Sequence, residues 1–345
     1  MDFLPAEGHS RTTAGPIIGL PGSILMTPFV AGVPAVDNTM QRILITGGCG
    51  FIGSALVKEL QRPGCEVSVL DNNSYGSRHT IDIPDERFHA VDILDRNAVA
   101  AAVAAVRPDV LLHLAAIHFI PHCNQYPYDS ANVNLQGTMN VLDAARMAGS
   151  VQKLLFASTA AVYPIIDTAI PETCQVGPLD IYGLSKVVGE RLCHEFHLAT
   201  GTPTIVCRFF NAFGPNETNP HLIPEIQTQI LSGQRTLKLG NLDPKRDFIH
   251  THDMSTAIRA LLEKFRSGYD VFNLGRGEEY SVREIVAAFS RQLGEPVTIE
   301  VDPARVRKVE RMHLLADVSK LKSFTGWEPQ TSLDEGIRTL LGERR

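Results

Sequence analysis

Beyond residue 40, short apolar segments with the length of buried β-strands alternate with segments of helical periodicity. The strand-like segments are RILITGG, EVSVLDN, RFHAVDI, DVLLHLAA, KLLFAST and PTIVCRFFN. The helical segments between them include SALVKELQRPG, NAVAAAVAAVRP, SANVNLQGTMNVLDAARMAG and YGLSKVVGERLCHEFHLATG. Parallel strands need crossover connections, which are usually helices, so this alternation predicts an α/β fold built on a doubly wound parallel sheet.

A glycine motif, Gly47-x-x-Gly50-x-x-Gly53, lies between the first strand and the first helix. Glycine lets backbone amides approach a pyrophosphate closely, and a helix N-terminus favours its negative charge. Asp71 ends the second strand, where a carboxylate can accept hydrogen bonds from an adenosine ribose. It would repel a 2′-phosphate, and the next two residues are asparagines. The pattern predicts a Rossmann-type site for NAD rather than NADP.

A second carboxylate, Asp92, follows the third strand in the motif VDI. At this place it could accept a hydrogen bond from the adenine amine of the cofactor. The alternative is that it caps the end of the strand. The sequence alone leaves both interpretations open.

The chain divides into three predicted regions that differ in loop length and in their content of proline, glycine, asparagine and aspartate. Residues 1–40 are broken by prolines and glycines and lack a basic signal-peptide start, which predicts an irregular extension. Residues 41–210 are predicted to form the NAD-binding domain, and residues 211–345 a smaller α/β lobe that binds substrate. We expect the chain near 248–277 to return in part to the large domain.

Charge, cysteines and hydropathy exclude several classes of protein. The net charge of -6 and pI near 6.1 offer no basic footprint for nucleic acid. Six scattered cysteines contain no C-x-x-C pair, which argues against a zinc site or a disulfide framework and favours a reducing cytoplasm. No uninterrupted apolar run reaches the length of a membrane span. We therefore expect a cytoplasmic protein without a metal site and without nucleic-acid or membrane partners.

Tyr182 and Lys186 are four residues apart on the long helix after the fifth strand, so both side chains share one face. A free tyrosine has a pKa of about 10 and is a poor base at neutral pH. A nearby ammonium and a nicotinamide cation would favour its phenolate form. The helix should meet the nicotinamide end of the cofactor, which predicts a catalytic pair.

The ordered motifs TGGCGFIG, LDN, VDI, LLHLAA, FASTAAVYP, YGLSK and RFFNAFGP together resemble the extended short-chain dehydrogenase/reductase family. The nearest branch is that of nucleotide-sugar epimerases and dehydratases, and the resemblance covers about residues 41 to 340. It implies that Thr159 and Tyr182 act on the sugar, with Lys186 as the partner of the tyrosine. It also implies a homodimer through the helices that follow strands four and five. The implied cofactor contacts are Gly47, Gly50, Phe51, Ile52, Gly53, Asp71, Asn72, Asp92, Ile93, Leu114, Ala115, Ala116, Tyr182, Lys186 and Phe209.

The resemblance extends into the second lobe. Asn211 in RFFN matches a substrate-contacting asparagine, and Arg246 in RDF matches an arginine that contacts the nucleotide diphosphate. The tail RVRKVERMHLLADVSKL resembles GDP-mannose dehydratases and places Arg307 on the diphosphate and Glu310 on the nucleoside ribose. Arginine suits a diphosphate because it offers paired donors. His118 completes the predicted substrate contacts.

The stretch FASTAAVYP discriminates between reactions. The family resemblance implies that hydride leaves a sugar carbon for NAD while Tyr182 takes the hydroxyl proton. A 4,6-dehydratase then needs a general base and a general acid, which in the family follow the catalytic threonine directly. Ala160 and Ala161 stand there and cannot carry protons. The sequence therefore predicts an NAD-dependent nucleotide-sugar 4-epimerase.

Two alternatives stay open from the sequence. The loop AAIHFIPHCNQYP contains His118, His122 and Cys123, which could supply the acid and base for dehydration of a sugar nucleotide or a nucleoside. The chain could also be a non-catalytic NAD-binding sensor on the same fold, because fold does not determine function. The nucleotide base is undecided, since the tail resembles GDP-sugar enzymes and the alanine pair resembles UDP-hexose 4-epimerases.

Overall fold

A seven-stranded, wholly parallel sheet forms the centre of the protein; the computed structural model describes residues 40–306 and 311–342. Its strands are β1 (Gln41–Thr46), β2 (Cys65–Asp71), β3 (Phe88–Ala90), β4 (Val110–His113), β5 (Lys153–Thr159), β6 (Thr204–Phe209) and, last of the seven along the chain, β10 (Tyr269–Leu274). Their order across the sheet is β3-β2-β1-β4-β5-β6-β10. The predicted doubly wound parallel sheet is confirmed, and β10 adds a seventh strand from the segment that was expected to return.

Helices cover both faces of this sheet, and two small sheets lie in the second half of the chain. The helices are α1 (Phe51–Leu60), α2 (Arg96–Val106), α3 (Ile120–Gln125), α4 (Pro127–Asn132), α5 (Thr138–Ala148), α6 (Ile181–Thr200), α7 (Leu222–Leu231), α8 (Thr251–Lys264), α9 (Val282–Leu293), α10 (Ser319–Thr325) and α11 (Leu333–Leu341). The small sheets comprise β7 (Asn211–Phe213), β8 (Thr236–Leu239), β9 (Lys245–His250), β11 (Glu279–Ser281) and β12 (Thr298–Val301). Their orders are β11-β9-β7 and β12-β8.

Alternate residues of each central strand enter opposite apolar layers. In β1, Ile43 and Ile45 pack in the layer that includes α1 and α8, whereas Leu44 packs against α2 and α5. All three side chains are at most 2% exposed. Because both faces of the sheet are covered, its strands consist of nearly continuous apolar residues, as parallel sheets require.

The helix predicted over SANVNLQGTMNVLDAARMAG differs from the structure. It begins earlier, with α4 at Pro127, and a π-helical turn at Val133–Gly137 separates α4 from α5. A π turn adds a residue to the helical repeat and often marks a functional site. Periodicity could not reveal it, because a single inserted residue hardly changes the pattern of apolar side chains.

The domain boundary near residue 210 stays a prediction. Of the extension predicted at residues 1–40, residues 1–39 lie outside the described part of the chain. Met40 immediately precedes β1. In the part that the structure describes, every helix is too short or too polar to cross a bilayer.

His113, at the end of β4, is buried with only 1% of its surface exposed. Its Nδ1 is 2.7 Å from the Thr46 hydroxyl and its Nε2 is 2.9 Å from the Thr138 hydroxyl. Burial, assisted by the charge of Lys186, lowers the pKa of His113 to about 3. The unfolded chain binds this proton near pH 6.5, so stability is lost as pH falls from about 6.5 towards 3.

As pH falls from about 7 to about 5.5, we expect protonation linked to His113 alone to lower the free energy of unfolding by about 1 kcal/mol. Urea titrations at both pH values measure the change. The matched variant His113→Gln keeps hydrogen-bonding groups but cannot titrate, so its stability should depend less on pH. Equal pH dependence in both proteins would show that His113 is not the acid-sensitive group.

Candidate active site

A cavity of about 1110 Å³ lies at the carboxyl ends of the parallel strands. It exceeds the usual size of a pocket for one drug-sized ligand, so it has room for two ligands side by side. The following predicted residues line it: Gly47, Gly50, Phe51, Ile52, Gly53, Asp71, Asn72, Leu114, Ala116, His118, Thr159, Tyr182, Lys186, Phe209, Asn211 and Arg246.

The glycine loop forms one end of this cavity and leads into α1. Gly47 has a φ of +74°, a left-handed conformation that favours glycine. A Cβ at Gly53 would lie 2.1 Å from the carbonyl oxygen of Gly47, so only glycine allows the loop to close so tightly. Gly50 is the N-cap of α1 and provides no side-chain cap. The loop therefore has the form of a phosphate cradle at a helix N-terminus.

Asp71 ends β2 beside the glycine loop and is 8% exposed. One carboxylate oxygen accepts the backbone N–H of Cys49 at 2.9 Å, and the other accepts that of Asn73 at 2.7 Å. A carboxylate has about four acceptor positions, so it can still receive ribose hydroxyls. Asp71 thus anchors the loop as well as facing the cavity, and the sequence had indicated only the second role.

Asp92, Ile93 and Ala115 were predicted as cofactor contacts but are not among the residues that line the cavity. Asp92 accepts the backbone N–H of Leu94 at 2.8 Å and the side-chain amide of Asn72 at 2.9 Å. Ile93 is buried in the apolar layer beneath α2 and α5. These contacts are those of a residue that caps the end of the third strand, while its contact with adenine stays a prediction.

Thr159, Tyr182 and Lys186 meet at the centre of the cavity. Thr159 is the last residue of β5, and its hydroxyl acts on the Tyr182 side chain within the same cavity. Lys186 lies one turn further along α6 and is 4% exposed. Its Nζ donates to the Ala157 carbonyl at 2.8 Å and lies 6.0 Å from the centre of the Tyr182 ring. The structure therefore brings the three predicted catalytic residues together.

Two glycines allow α6 to lie directly against the end of β5. A Cβ at Gly183 would be 2.4 Å from the Ala161 carbonyl oxygen, and one at Gly189 would be 2.4 Å from the Phe156 ring. Asp180 caps the helix by accepting the Gly183 N–H at 2.7 Å. This close approach places Tyr182 of α6 near Thr159 at the end of β5.

Burial dominates the electrostatics of the pair. It raises the pKa of the half-buried Tyr182 well above its usual value, although the Thr159 hydroxyl opposes this shift. Burial also lowers the pKa of Lys186 to about 8. The lysine is therefore still mainly an ammonium at pH 7, next to a phenol that needs positive charge nearby to release its proton.

The alanine pair contributes no proton carrier. Ala161 donates its backbone N–H to the Thr159 hydroxyl at 3.2 Å, and Ala160 is 3% exposed. Both residues line the cavity with methyl groups. Chemistry at this wall is limited to what Thr159 and Tyr182 can do.

The three candidate proton carriers of the β4 loop lie in different surroundings. His118 lines the cavity, whereas His122 and Cys123 do not. The Nε2 of His122 is 3.4 Å from the hydroxyl of the exposed Tyr75, and the buried Cys123 thiol donates to the Ile117 carbonyl at 3.6 Å. Burial raises the pKa of that thiol. Within residues 40–306 and 311–342, no group of three His, Cys, Asp or Glu residues is arranged to hold a metal ion.

The π turn holds Asn134, a residue that the sequence analysis missed. Asn134 is 3% exposed. Its amide nitrogen donates to the Ile117 carbonyl at 2.9 Å and to the Ser185 hydroxyl at 3.0 Å, while its oxygen accepts the Ile117 N–H at 2.8 Å. It joins the β4 loop to α6 three residues beyond Tyr182. The only signal in the sequence was a pair of asparagines in a helical segment.

Arginines lie at the other end of the cavity. Arg246 on β9 donates to the Arg311 carbonyl at 2.8 Å, and Arg311 donates to the Tyr163 carbonyl at 2.6 Å. Burial, with a contribution from Arg246, lowers the pKa of Arg311. The sequence analysis missed Arg311, although it lies in the same tail segment as Arg307 and Glu310. Those two residues lie outside the described part of the chain.

Comparisons with known proteins agree with this geometry. The model of the NAD dependent epimerase/dehydratase family matches residues 43–275. UDP-glucose 4-epimerase from Bacillus subtilis is 31% identical over 85% of this chain and 94% of its own, and GDP-6-deoxy-D-mannose reductase from Pseudomonas aeruginosa is 28% identical over 88% and 97%. The crystal structure of Thermus thermophilus UDP-glucose 4-epimerase in complex with NAD has a TM-score of 0.79 and 30% identity, covering 88% of this chain and all of that one.

Proposed function

This chain belongs to the NAD-dependent epimerase/dehydratase family, and on that premise we propose that it is a nucleotide-sugar 4-epimerase. One observation carries the proposal. Thr159, Tyr182 and Lys186 meet in a cavity whose neighbouring wall consists of Ala160 and Ala161. The site can therefore move a proton on and off one hydroxyl, while the alanine wall has none of the acid and base that elimination of water would need.

The cofactor is NAD, and the described residues fit it. The glycine loop has no room for a Cβ at Gly53, and α1 begins directly behind it. Asp71 faces the cavity at the position where it would accept the adenosine ribose. Lys186 lies where it would hold the nicotinamide ribose. Bound NAD supplies reversible hydride acceptance at C4 of the sugar.

Tyr182 takes the proton of the C4 hydroxyl as the sugar is oxidised. Thr159 hydrogen-bonds the same oxygen and fixes its distance from the phenol. The Lys186 ammonium stabilises the phenolate that forms. The 4-keto sugar then rotates within the cavity and is reduced on its opposite face, while Tyr182 returns the proton to the oxygen.

We assign the diphosphate of the substrate to Arg246 and Arg311. The two arginines line the same end of the cavity, remote in sequence but in direct contact. Guanidinium groups match phosphate oxygens with paired donors. Arg307 and Glu310 keep their predicted roles towards diphosphate and ribose. The relatives named above act on UDP- and GDP-sugars, so both bases belong in the substrate panel.

Product analysis of purified protein with UDP-, GDP- and dTDP-hexoses tests this function. We expect a C4 epimer of unchanged mass, seen by NMR, with no net reduction of the cofactor. A product lighter by one water would establish dehydration instead. No turnover of any nucleotide sugar or nucleoside would favour the NAD-binding sensor.

We also infer a homodimer through α5 and α6. Both helices expose large apolar side chains: Met139 is 48% exposed, Met147 67%, Leu184 48% and Val188 36%. We place these exposed apolar side chains in the proposed contact, where a partner subunit would bury them. Light scattering should give twice the chain mass of 37.8 kDa; the mass of a monomer would reject the dimer.

A cytoplasmic location accords with the state of the cysteines. All six lie in the described part of the chain and all are free thiols. Secreted proteins with this many cysteines usually form disulfides. Fractionation of the host cell with an antibody against the protein would test this location.

We predict that Asp71→Ala weakens NAD binding about tenfold or more, because it removes both the ribose acceptor and two anchors of the glycine loop. Calorimetry with NAD measures the change. Asp92→Ala is the matched control at the next strand end. Little change in NAD affinity would favour its role as a cap of the strand, and a similar loss would favour its contact with adenine. Adding Asn72→Arg to the Asp71 variant should admit NADP. Unchanged affinity and preference would refute the assignment of Asp71.

A further inference from the structure

The segment from Asn216 to His221 passes over the cavity and carries polar groups that the proposed mechanism does not use. Glu217, Thr218, Pro220 and His221 all line the cavity. The Glu217 side chain is only 6% exposed, and one of its oxygens lies 3.6 Å from Nδ1 of His221. Burial of a carboxylate to this degree costs free energy unless hydrogen bonds or opposite charges compensate for its lost hydration.

Hydrogen bonds within the segment and one bond to Tyr75 hold its backbone in place. Glu217 Oε1 accepts the backbone N–H of Asn219 at 3.1 Å, and the His221 N–H donates to the Asn219 carbonyl at 2.8 Å. The Thr218 hydroxyl donates to the Tyr75 carbonyl at 3.2 Å. These bonds fix the backbone on both sides of the Asn219 side chain, and Asn219 as a whole is 9% exposed.

That side chain reaches His118, which lies 101 residues earlier in the chain. The amide nitrogen Nδ2 of Asn219 is 3.1 Å from Nε2 of His118. An amide nitrogen can only donate, so Nε2 must accept, and a neutral imidazole then carries its proton on Nδ1. Burial lowers the pKa of His118 to about 4; Glu217 opposes this shift, while His221 and Lys186 add to it. His118 is therefore neutral at pH 7.

His118 is also close to the catalytic group. The charge of Lys186 acts on it, and both residues line the same cavity as Thr159 and Tyr182. The alanine wall beside Thr159 offers the sugar no side-chain donor. An Nδ1–H on the β4 loop is a donor available to the sugar from another wall of the cavity.

We propose that Asn219 locks His118 as the neutral tautomer protonated on Nδ1, and that this N–H donates a hydrogen bond to an oxygen of the bound sugar. His118 is thereby a specificity-determining residue, and Asn219 is the positioning residue that sets its tautomer. The inference rests on the proposed function for the identity of the ligand. Beyond that function, Nδ1 of His118 is the atom that recognises the sugar, and Asn219 determines which ring nitrogen carries the proton.

The experiment combines NMR with kinetics on the NAD-loaded protein. Histidine labelled with ¹⁵N in the ring reports the tautomer, and the signal of His118 is assigned by its loss in His118→Gln. We expect protonated Nδ1 and unprotonated Nε2 in the wild type. Asn219→Asp offers an acceptor to Nε2 and should move the proton there. The KM for the nucleotide sugar should then rise roughly five- to tenfold, while NAD affinity is unchanged.

Asn216→Gly is the matched control on the same segment. Asn216 is exposed and has a φ of +66°, which glycine adopts readily, so tautomer and KM should not change. Failure of the proposed function would appear separately, as no turnover of any nucleotide sugar by the wild type. With turnover present, a wild-type His118 protonated on Nε2, or an Asn219→Asp variant with normal KM, would overturn the inference.

Discussion

Replacing Tyr182 with phenylalanine is expected to lower epimerase turnover by about 10²- to 10⁴-fold, the usual contribution of a positioned general acid–base group. The variant keeps the ring and its packing but loses the phenol that shares the cavity with Thr159 and Lys186. NAD should stay bound, because the glycine loop and Asp71 are untouched. Initial rates with the best nucleotide sugar, together with calorimetric NAD affinity, measure both effects.

Tyr280→Phe is the matched control for this prediction. Tyr280 lines the same cavity, but its hydroxyl donates to Glu278 at 2.6 Å. Its loss should change turnover by less than about threefold, the effect of one modest hydrogen bond. If Tyr182→Phe retained near-normal turnover, the catalytic assignment of α6 would be wrong.

Replacing Arg208 with methionine is expected to destabilise the protein by about 3–5 kcal/mol, because it leaves a buried charge without its partner. Arg208 on β6 is 5% exposed and binds Glu190 of α6 through two bonds, Nε to Oε1 at 2.9 Å and Nη2 to Oε2 at 2.7 Å. Its Nη1 donates to the Tyr163 hydroxyl at 2.9 Å. The Ser158 hydroxyl, beside Thr159, also donates to Glu190 at 2.5 Å.

The double variant Arg208→Met with Glu190→Leu separates the charge from the packing. An apolar pair of similar size often replaces a buried ion pair at little cost, so most of the lost stability should return. Urea unfolding of the two variants and the wild type gives the free energies. A loss below about 1 kcal/mol in the single variant, or no recovery in the double, would show that the pair does not behave as a buried bridge.

Features that repeat along one strand or one helix were predictable from the sequence. The spacing of Gly47, Gly50 and Gly53 and the position of Asp71 are local properties of a strand and its turn. Tyr182 and Lys186 share a face because four residues make one helical turn. The predicted parallel sheet followed from the alternation of two periodicities, which arises from backbone geometry alone. The alanines after Thr159 already excluded proton transfer at that wall.

Contacts between distant segments were not predictable in the same way. Arg311 lies beside Arg246 across 65 residues, and Asn219 reaches His118 across 101. No pattern within either segment indicates such a partner, because the pairing depends on where segments remote in the chain meet beside the cavity. The same holds for the separation of His118 from His122 and Cys123, which are close in sequence but face different surroundings.

The sequence by itself determined the parallel sheet, the cofactor loop and the placement of Thr159, Tyr182 and Lys186, the three predicted catalytic residues, since each depends on spacing within one element or between consecutive elements. Only the tertiary structure decided which of the remaining polar groups reach the cavity: His118 but not His122, and Arg311 with Arg246. The physical reason is that burial and hydrogen-bond partners are set by packing between elements remote in the chain. These surroundings also determine the pKa shifts of Tyr182 and Lys186, and therefore how readily the two residues give and take protons.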